Sequence, residues 1–159
     1  MFQTNQGPSF PAHQFIFGGT SAPSAADDAA GIYASENMSG TSKIAGCTAP
    51  AGTTVQLIDP SGENQKVYPC FEHSTLPDLL TGFTWRYYTP SAGSIWTAPN
   101  AIQHICQSTG PNGSCSGTDW SKNIDLKPAD VLTDITRVRI SCLTAFRTLK
   151  TLGIARLSA

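Results

Sequence analysis

The first stretch of the chain equipped for chemistry is Gly7-Pro8-Ser9-Phe10-Pro11. Its two prolines fix φ at positions 8 and 11 and push the residues before them, Gly7 and Phe10, away from helical backbone. A serine clamped in this way, beside a flexible glycine, points its hydroxyl in one direction. Nucleophiles are presented in this manner. The same pattern also reads as a proline-rich surface turn with an incidental serine. Other groups compete for chemical roles. Asp27-Asp28 could bind a cation, but adjacent carboxylates diverge on helix or strand, which favours a solvated turn. His73 precedes a helix cap and reads as structural. Trp85, Tyr87, Tyr88, Trp96 and Trp120 could stack on sugar rings or choline groups, or fill a core.

These residues need elements to hold them. His13-Gln14-Phe15-Ile16-Phe17 reads as the opening of a buried helix or as a short strand, and Gly18-Gly19-Thr20-Ser21 behind it permits close backbone approach. Residues 53–58 have strand composition, 59–64 are turn-forming, and 65–68 return, which predicts a hairpin. Ser74 or Thr75 caps a short helix over 76–80 with proline in its first turn, and Gly82 ends it. Residues 83–88 make the clearest strand, and a helix followed by a strand suits an α/β sheet. One or two helical turns are predicted over 98–105, and a strand-turn-helix over 123–135 with Pro128 near its start.

Composition bounds the class. The chain has 159 residues, enough for one domain with a modest core. Charged residues make up 13%, well below the usual share, and the formal net charge is −1. Such a chain is loop-rich and neutral, as secreted proteins often are. All eleven acids lie in residues 1–135, so that part offers no basic face for nucleic acid. No stretch approaches the roughly eighteen apolar residues of a membrane span. Residues 1–6 lack the basic start and apolar run of a signal peptide. Of five cysteines, Cys47 and Cys70 bracket the hairpin, and Cys106 and Cys115 bracket a Gly/Pro-rich loop. Both pairs are predicted to be bridged, with Cys142 left over. Four cysteines allow three connectivities, and spacing alone does not choose among them.

Residues 3–15, Gln-Thr-Asn-Gln-Gly-Pro-Ser-Phe-Pro-Ala-His-Gln-Phe, resemble the nucleophile segment of the bacterial phosphoesterase family. The family holds acid phosphatases and phosphocholine-preferring phospholipases C, within the alkaline-phosphatase-like superfamily. The likeness continues through residues 69–80 and 84–88 and covers residues 2 to about 135. It implies a loop-rich, partial alkaline-phosphatase-like α/β domain with a disulfide-stapled hairpin insertion. It further implies hydrolysis of a phosphate ester, from a small molecule or a phospholipid head group, by an extracytoplasmic parent protein. Ser9 falls on the position of the nucleophile, which in the family also ligates a divalent metal ion. The family's other metal ligands are an upstream Glu-Asn and downstream Asp and His residues. Glu36-Asn37 lies downstream of Ser9 and runs into Met38-Ser39-Gly40, so that role is not carried over. Residues 1–135 are therefore expected to be a fragment of a catalytic domain, with Met1 an internal methionine. Alone it is expected to be inactive and not to hold the cation.

Residues 136–159 do not resemble the family's continuation. Five of the ten bases and none of the acids fall there. The spacing of Ile140, Leu143, Phe146, Leu149 and Leu152 suggests a basic amphipathic helix. The alternative is a non-native end, and poor packing is expected of either. Two further readings of the whole chain stand beside the hydrolase. One is a secreted, disulfide-stapled module that binds carbohydrate or choline, and the other an inactive gene fragment.

Overall fold

The computed structural model describes residues 8–39, 44–80, 82–127 and 129, without the side chains of 36–39, 63 and 64. Helix α1 (Ser9–Gly18) opens it. Phe10, Gln14 and Phe17 recur at helical spacing and are buried, while Phe15 and Ile16 remain exposed. Phe10 enters a cluster with Val55, Leu57 and Phe71, meeting the Phe71 ring edge-on at 5.7 Å. Phe17 enters a second cluster with Ile102 and Ile105 and packs edge-on against Trp85 and Tyr87. One short helix thus spans both apolar clusters. This corrects the expectation that Phe10 avoids helical backbone. Pro11 stands in the first turn, where no N–H is required, and burial of Phe10 outweighs the steric bias against a helical residue before proline. Gly19 ends the helix in the left-handed region, with φ 74°.

Helix α2 (Ala25–Ala29) is capped by Ser24, whose hydroxyl oxygen accepts from Asp27 N–H at 3.2 Å. Asp27 and Asp28 therefore open a helix rather than sit in a turn. Strands β1 (Tyr33–Ser39), β2 (Thr54–Asp59) and β3 (Gly62–Val67) form an antiparallel sheet in the order β1-β2-β3. Val55 and Leu57 alternate inward along β2 and Gln56 and Ile58 outward, as a half-buried strand requires. The hairpin is tighter than expected. Its return strand starts at Gly62, because the Asp59 carboxylate accepts the Ser61 N–H at 2.7 Å and closes the turn early.

Helix α3 (Leu76–Leu79) begins at Thr75, whose N–H and hydroxyl donate to Asp78 Oδ2 at 2.7 and 2.8 Å. The strand expected over 83–88 shrinks to β4 (Tyr87–Tyr88), paired in parallel with β5 (Ile124–Asp125). Phe83 is exposed, and Trp85 is drawn into the Phe17 cluster. A 3-10 turn (Ala98–Ala101) leads into helix α4 (Gln103–Cys106), and helix α5 (Thr118–Asn123) precedes β5. Among the described residues the architecture is therefore mixed helix and strand with two small sheets. The expectations for residues 130–159, including the basic tail and Cys142, fall outside the described residues.

Both expected disulfides, Cys47–Cys70 and Cys106–Cys115, are formed. They are compatible with an extracytoplasmic protein. The first is embedded in polar contacts. Asn100, fully buried, donates from Nδ2 to Thr48 Oγ1 at 2.9 Å and to Ala92 O, and its carbonyl accepts from Cys47 N–H at 2.9 Å. The Tyr68 hydroxyl donates to the carbonyls of Ala49 at 2.7 Å and Cys47 at 3.2 Å. Burial raises the Tyr68 pKa above the usual phenol value. Tyr68→Phe is expected to cost about 1 kcal/mol at neutral pH. A pKa raised on folding contributes stability that is complete below the unfolded value, near pH ~10, and is lost as pH rises through the folded value. The gap between wild type and Tyr68→Phe should therefore narrow in alkali, as urea unfolding at neutral and strongly alkaline pH will report.

Candidate functional site

Ser9 is the first residue of α1, half-buried, with the extended Pro8 as its cap. The first bond of the helix runs from Ala12 N–H to Pro8 O at 3.2 Å. A helix start concentrates partial positive charge where its first amides point. Ser9 therefore sits at the positive end of the helix dipole. Pro8 and Pro11, which flank it, line a pocket of about 530 Å³, whereas Ser9 itself does not line it. Tyr33 and Ile58 from the sheet also line it, and Asp28, which takes the Thr20 hydroxyl, adds a carboxylate.

His73 lies near the other end of α1. It is buried, its Nδ1 sits 3.0 Å from Ser74 O, and a Cβ placed on Gly18 would come 2.6 Å from its Cε1. The imidazole can rest on the helix because residue 18 has no side chain. The aromatic residues considered for stacking are divided. Trp85 and Tyr87 pack against Phe17, the Tyr87 hydroxyl donates to Trp96 O at 2.7 Å, and Trp96 itself is exposed. Tyr88 and Trp120 are half-buried.

A cluster that the sequence did not point to joins Glu72, Asp78 and His104. His104 Nδ1 is 2.6 Å from Glu72 Oε1, and the His104 main-chain N–H donates to Glu72 Oε2 at 3.0 Å. His104 Nε2 faces Asp78 Oδ2 at 3.4 Å, an ion-pair distance too long for a good hydrogen bond. Burial alone would raise the Asp78 pKa, but the Thr75 N–H, the Thr75 hydroxyl and the His104 ring outweigh it and lower it below the ordinary carboxylate value. The cluster is assembled by a bridge between Phe71 and Ile102. Phe71 N–H donates to Ala101 O at 2.6 Å and Gln103 N–H donates to Phe71 O at 2.8 Å. That pairing sets Glu72 against the start of α4, while the cap of α3 turns Asp78 toward the same place. The Thr-x-x-Asp cap was visible in the sequence, but the bridge that brings in His104 was not.

Among the described residues, no group of three or more His, Cys, Asp or Glu side chains forms a set able to hold a metal ion by itself. The described residues therefore do not fit the cation that the family resemblance attaches to Ser9. No described helix is long and apolar enough to cross a membrane. No protein-family model, curated protein or solved structure matches the chain.

Proposed function

We propose that the chain carries the nucleophile of a hydrolase acting on phosphate ester bonds, in an alkaline-phosphatase-like domain of a periplasmic or secreted protein. The observation that carries this reading is the place of Ser9, at the first position of a ten-residue helix between two prolines. A phosphate brought to that position meets the positive end of the helix. Ser9 Oγ attacks phosphorus in line, the Oγ–P bond forming as the ester P–O bond breaks. The serine proton passes to solvent, and the departing oxygen is protonated from solvent. Water then cleaves the phosphoserine, returning the hydroxyl and releasing phosphate. A divalent cation, where bound, would supply charge neutralisation at phosphate. Ligands for it would come from segments outside the described residues, and no step here depends on it.

The test joins this chain to the upstream Glu-Asn segment and the downstream Asp and His segments that the resemblance implies. With p-nitrophenyl phosphate or its phosphocholine ester, mass spectrometry should find phosphate covalently on Ser9 in the joined protein. The label should vanish in Ser9→Ala and persist in Ser9→Thr, which keeps a hydroxyl. Hydrolysis indifferent to Ser9→Ala, or a label on another residue, would overturn the assignment.

A further inference from the structure

We propose that the pocket between α1 and the three-stranded sheet binds a primary amine with an apolar body, an arylalkylamine, whose ammonium is received by Asp28. Ser9 does not line this pocket, so the binding stands or falls apart from the hydrolase reading.

At about 530 Å³ the pocket lies within the roughly 300–1,000 Å³ of small-molecule sites. Three of the large apolar side chains that folding leaves exposed line it: Phe15 at 37%, Tyr33 at 41% and Ile58 at 42%. Their placement follows from the fold. Tyr33 and Ile58 are register partners on β1 and β2, so their side chains stand side by side on one face of the sheet. Pro11 and Phe15 are four residues apart on α1 and share a face of that helix. An apolar ligand body held among these side chains removes from water surface that the fold leaves wet.

The polar groups fix the sign of the ligand's charge. Among the described residues that line the pocket, Asp28 is the one charged side chain. Its neighbour Asp27 has another task, accepting the Ser24 hydroxyl at 2.6 Å at the start of α2. Asp28 is anchored at one oxygen. Its Oδ1 accepts the Thr20 hydroxyl, and Thr20 Oγ1 in turn accepts the Ala22 N–H at 3.0 Å. No bond holds Oδ2 among the described residues. Ser21 also lines the pocket and is 3% exposed. Its carbonyl accepts the Ala34 N–H at 2.9 Å, while its hydroxyl has no hydrogen-bond partner among the described residues. A buried hydroxyl left unpaired is a cost that a ligand can relieve. A carboxylate oxygen and a hydroxyl accept the N–H groups of an ammonium, whereas a carboxylate or phosphate ligand would meet like charge. The Phe15 and Tyr33 rings add cation–π attraction.

Phenethylamine is the probe, titrated into the full 159-residue chain by calorimetry at physiological salt and followed by amide chemical shifts. One saturable site is expected, with shifts at Phe15, Tyr33 and Ile58. 2-Phenylethanol has the same shape without the charge and should bind at least about tenfold more weakly. Asp28→Asn should weaken phenethylamine binding by the same factor, about tenfold or more. Its amide oxygen can still accept the Thr20 hydroxyl, so the local fold is kept. Asp119→Asn, on α5, removes one negative charge elsewhere and should bind as the wild type does. The proposal is overturned by a wild type with no saturable site, by shifts that spare Phe15, Tyr33 and Ile58, or by Asp28→Asn binding like the wild type. It is equally overturned if 2-phenylethanol matches the amine, which would leave an apolar pocket without recognition of charge.

Discussion

Asn100→Ala is expected to destabilise the protein by on the order of 3–4 kcal/mol, because several losses fall together. The side chain is fully buried, and its Nδ2 serves both Thr48 Oγ1 and Ala92 O. Removing it leaves the part-buried Thr48 hydroxyl and Ala92 carbonyl without that donor, each at the lower end of the about 1–3 kcal/mol of an unsatisfied group, and empties a fully buried position. Gly46 is the counterpart. Its φ is +91°, and a Cβ there would lie 2.1 Å from Asn100 Oδ1. Gly46→Ala therefore combines backbone strain of about 1–3 kcal/mol with a collision. The side-chain part of the collision disappears when Asn100 is also alanine, leaving only the 3.0 Å approach to the backbone carbonyl carbon of residue 100, so the double variant should lose less than the two single losses added together. Urea unfolding followed by tryptophan fluorescence measures all three. An Asn100→Ala loss below about 1 kcal/mol would show that the loop holds without its side chain.

Removing the Cys47–Cys70 bridge is expected to cost about 3 kcal/mol. The two cysteines are 23 residues apart, and the loop they close contains the whole β2–β3 hairpin. Cys106 and Cys115 are 9 residues apart, so opening that smaller loop should cost somewhat less. The comparison uses Cys→Ser double variants, and non-reducing peptide mapping of the parent fixes the connectivity. A mapped Cys70–Cys106 peptide, or a larger loss from the shorter loop, would contradict the ordering.

The features legible in the sequence are those that neighbours along the chain decide. The hairpin and the cap of α3 follow from residues a few positions apart, and the two cysteine pairs, 23 and 9 residues apart, bracket turn-rich loops. Strand β1 was not legible, since Tyr-Ala-Ser-Glu-Asn-Met-Ser has no alternation to announce it. It is a strand because β2 offers it a partner. The overlong strand ending at Tyr88 failed for the converse reason. Its composition favours extension, but β5 provides a partner for two residues only. For the helix start, Phe10 shows tertiary burial overruling a local bias. The serine segment could be found by pattern, whereas the Glu72–His104 pair could not. Its members are 32 residues apart and meet only through the Phe71–Ile102 bridge.

The three-stranded sheet has a consequence for handling the protein at high concentration. Among the described residues only β2 is flanked on both sides, which makes β1 and β3 the rims at which a ribbon could grow from molecule to molecule. Both rims are poor templates. The β1 register breaks between Ala34 and Met38, which interrupts the even ladder a docking strand needs. Strand β3 reads Gly-Glu-Asn-Gln-Lys-Val, with both signs of charge and little of the apolar content that fibril-forming segments share. Fibrillar assembly through this sheet is thus discouraged at each side by a different device, a broken ladder on one and a polar strand on the other.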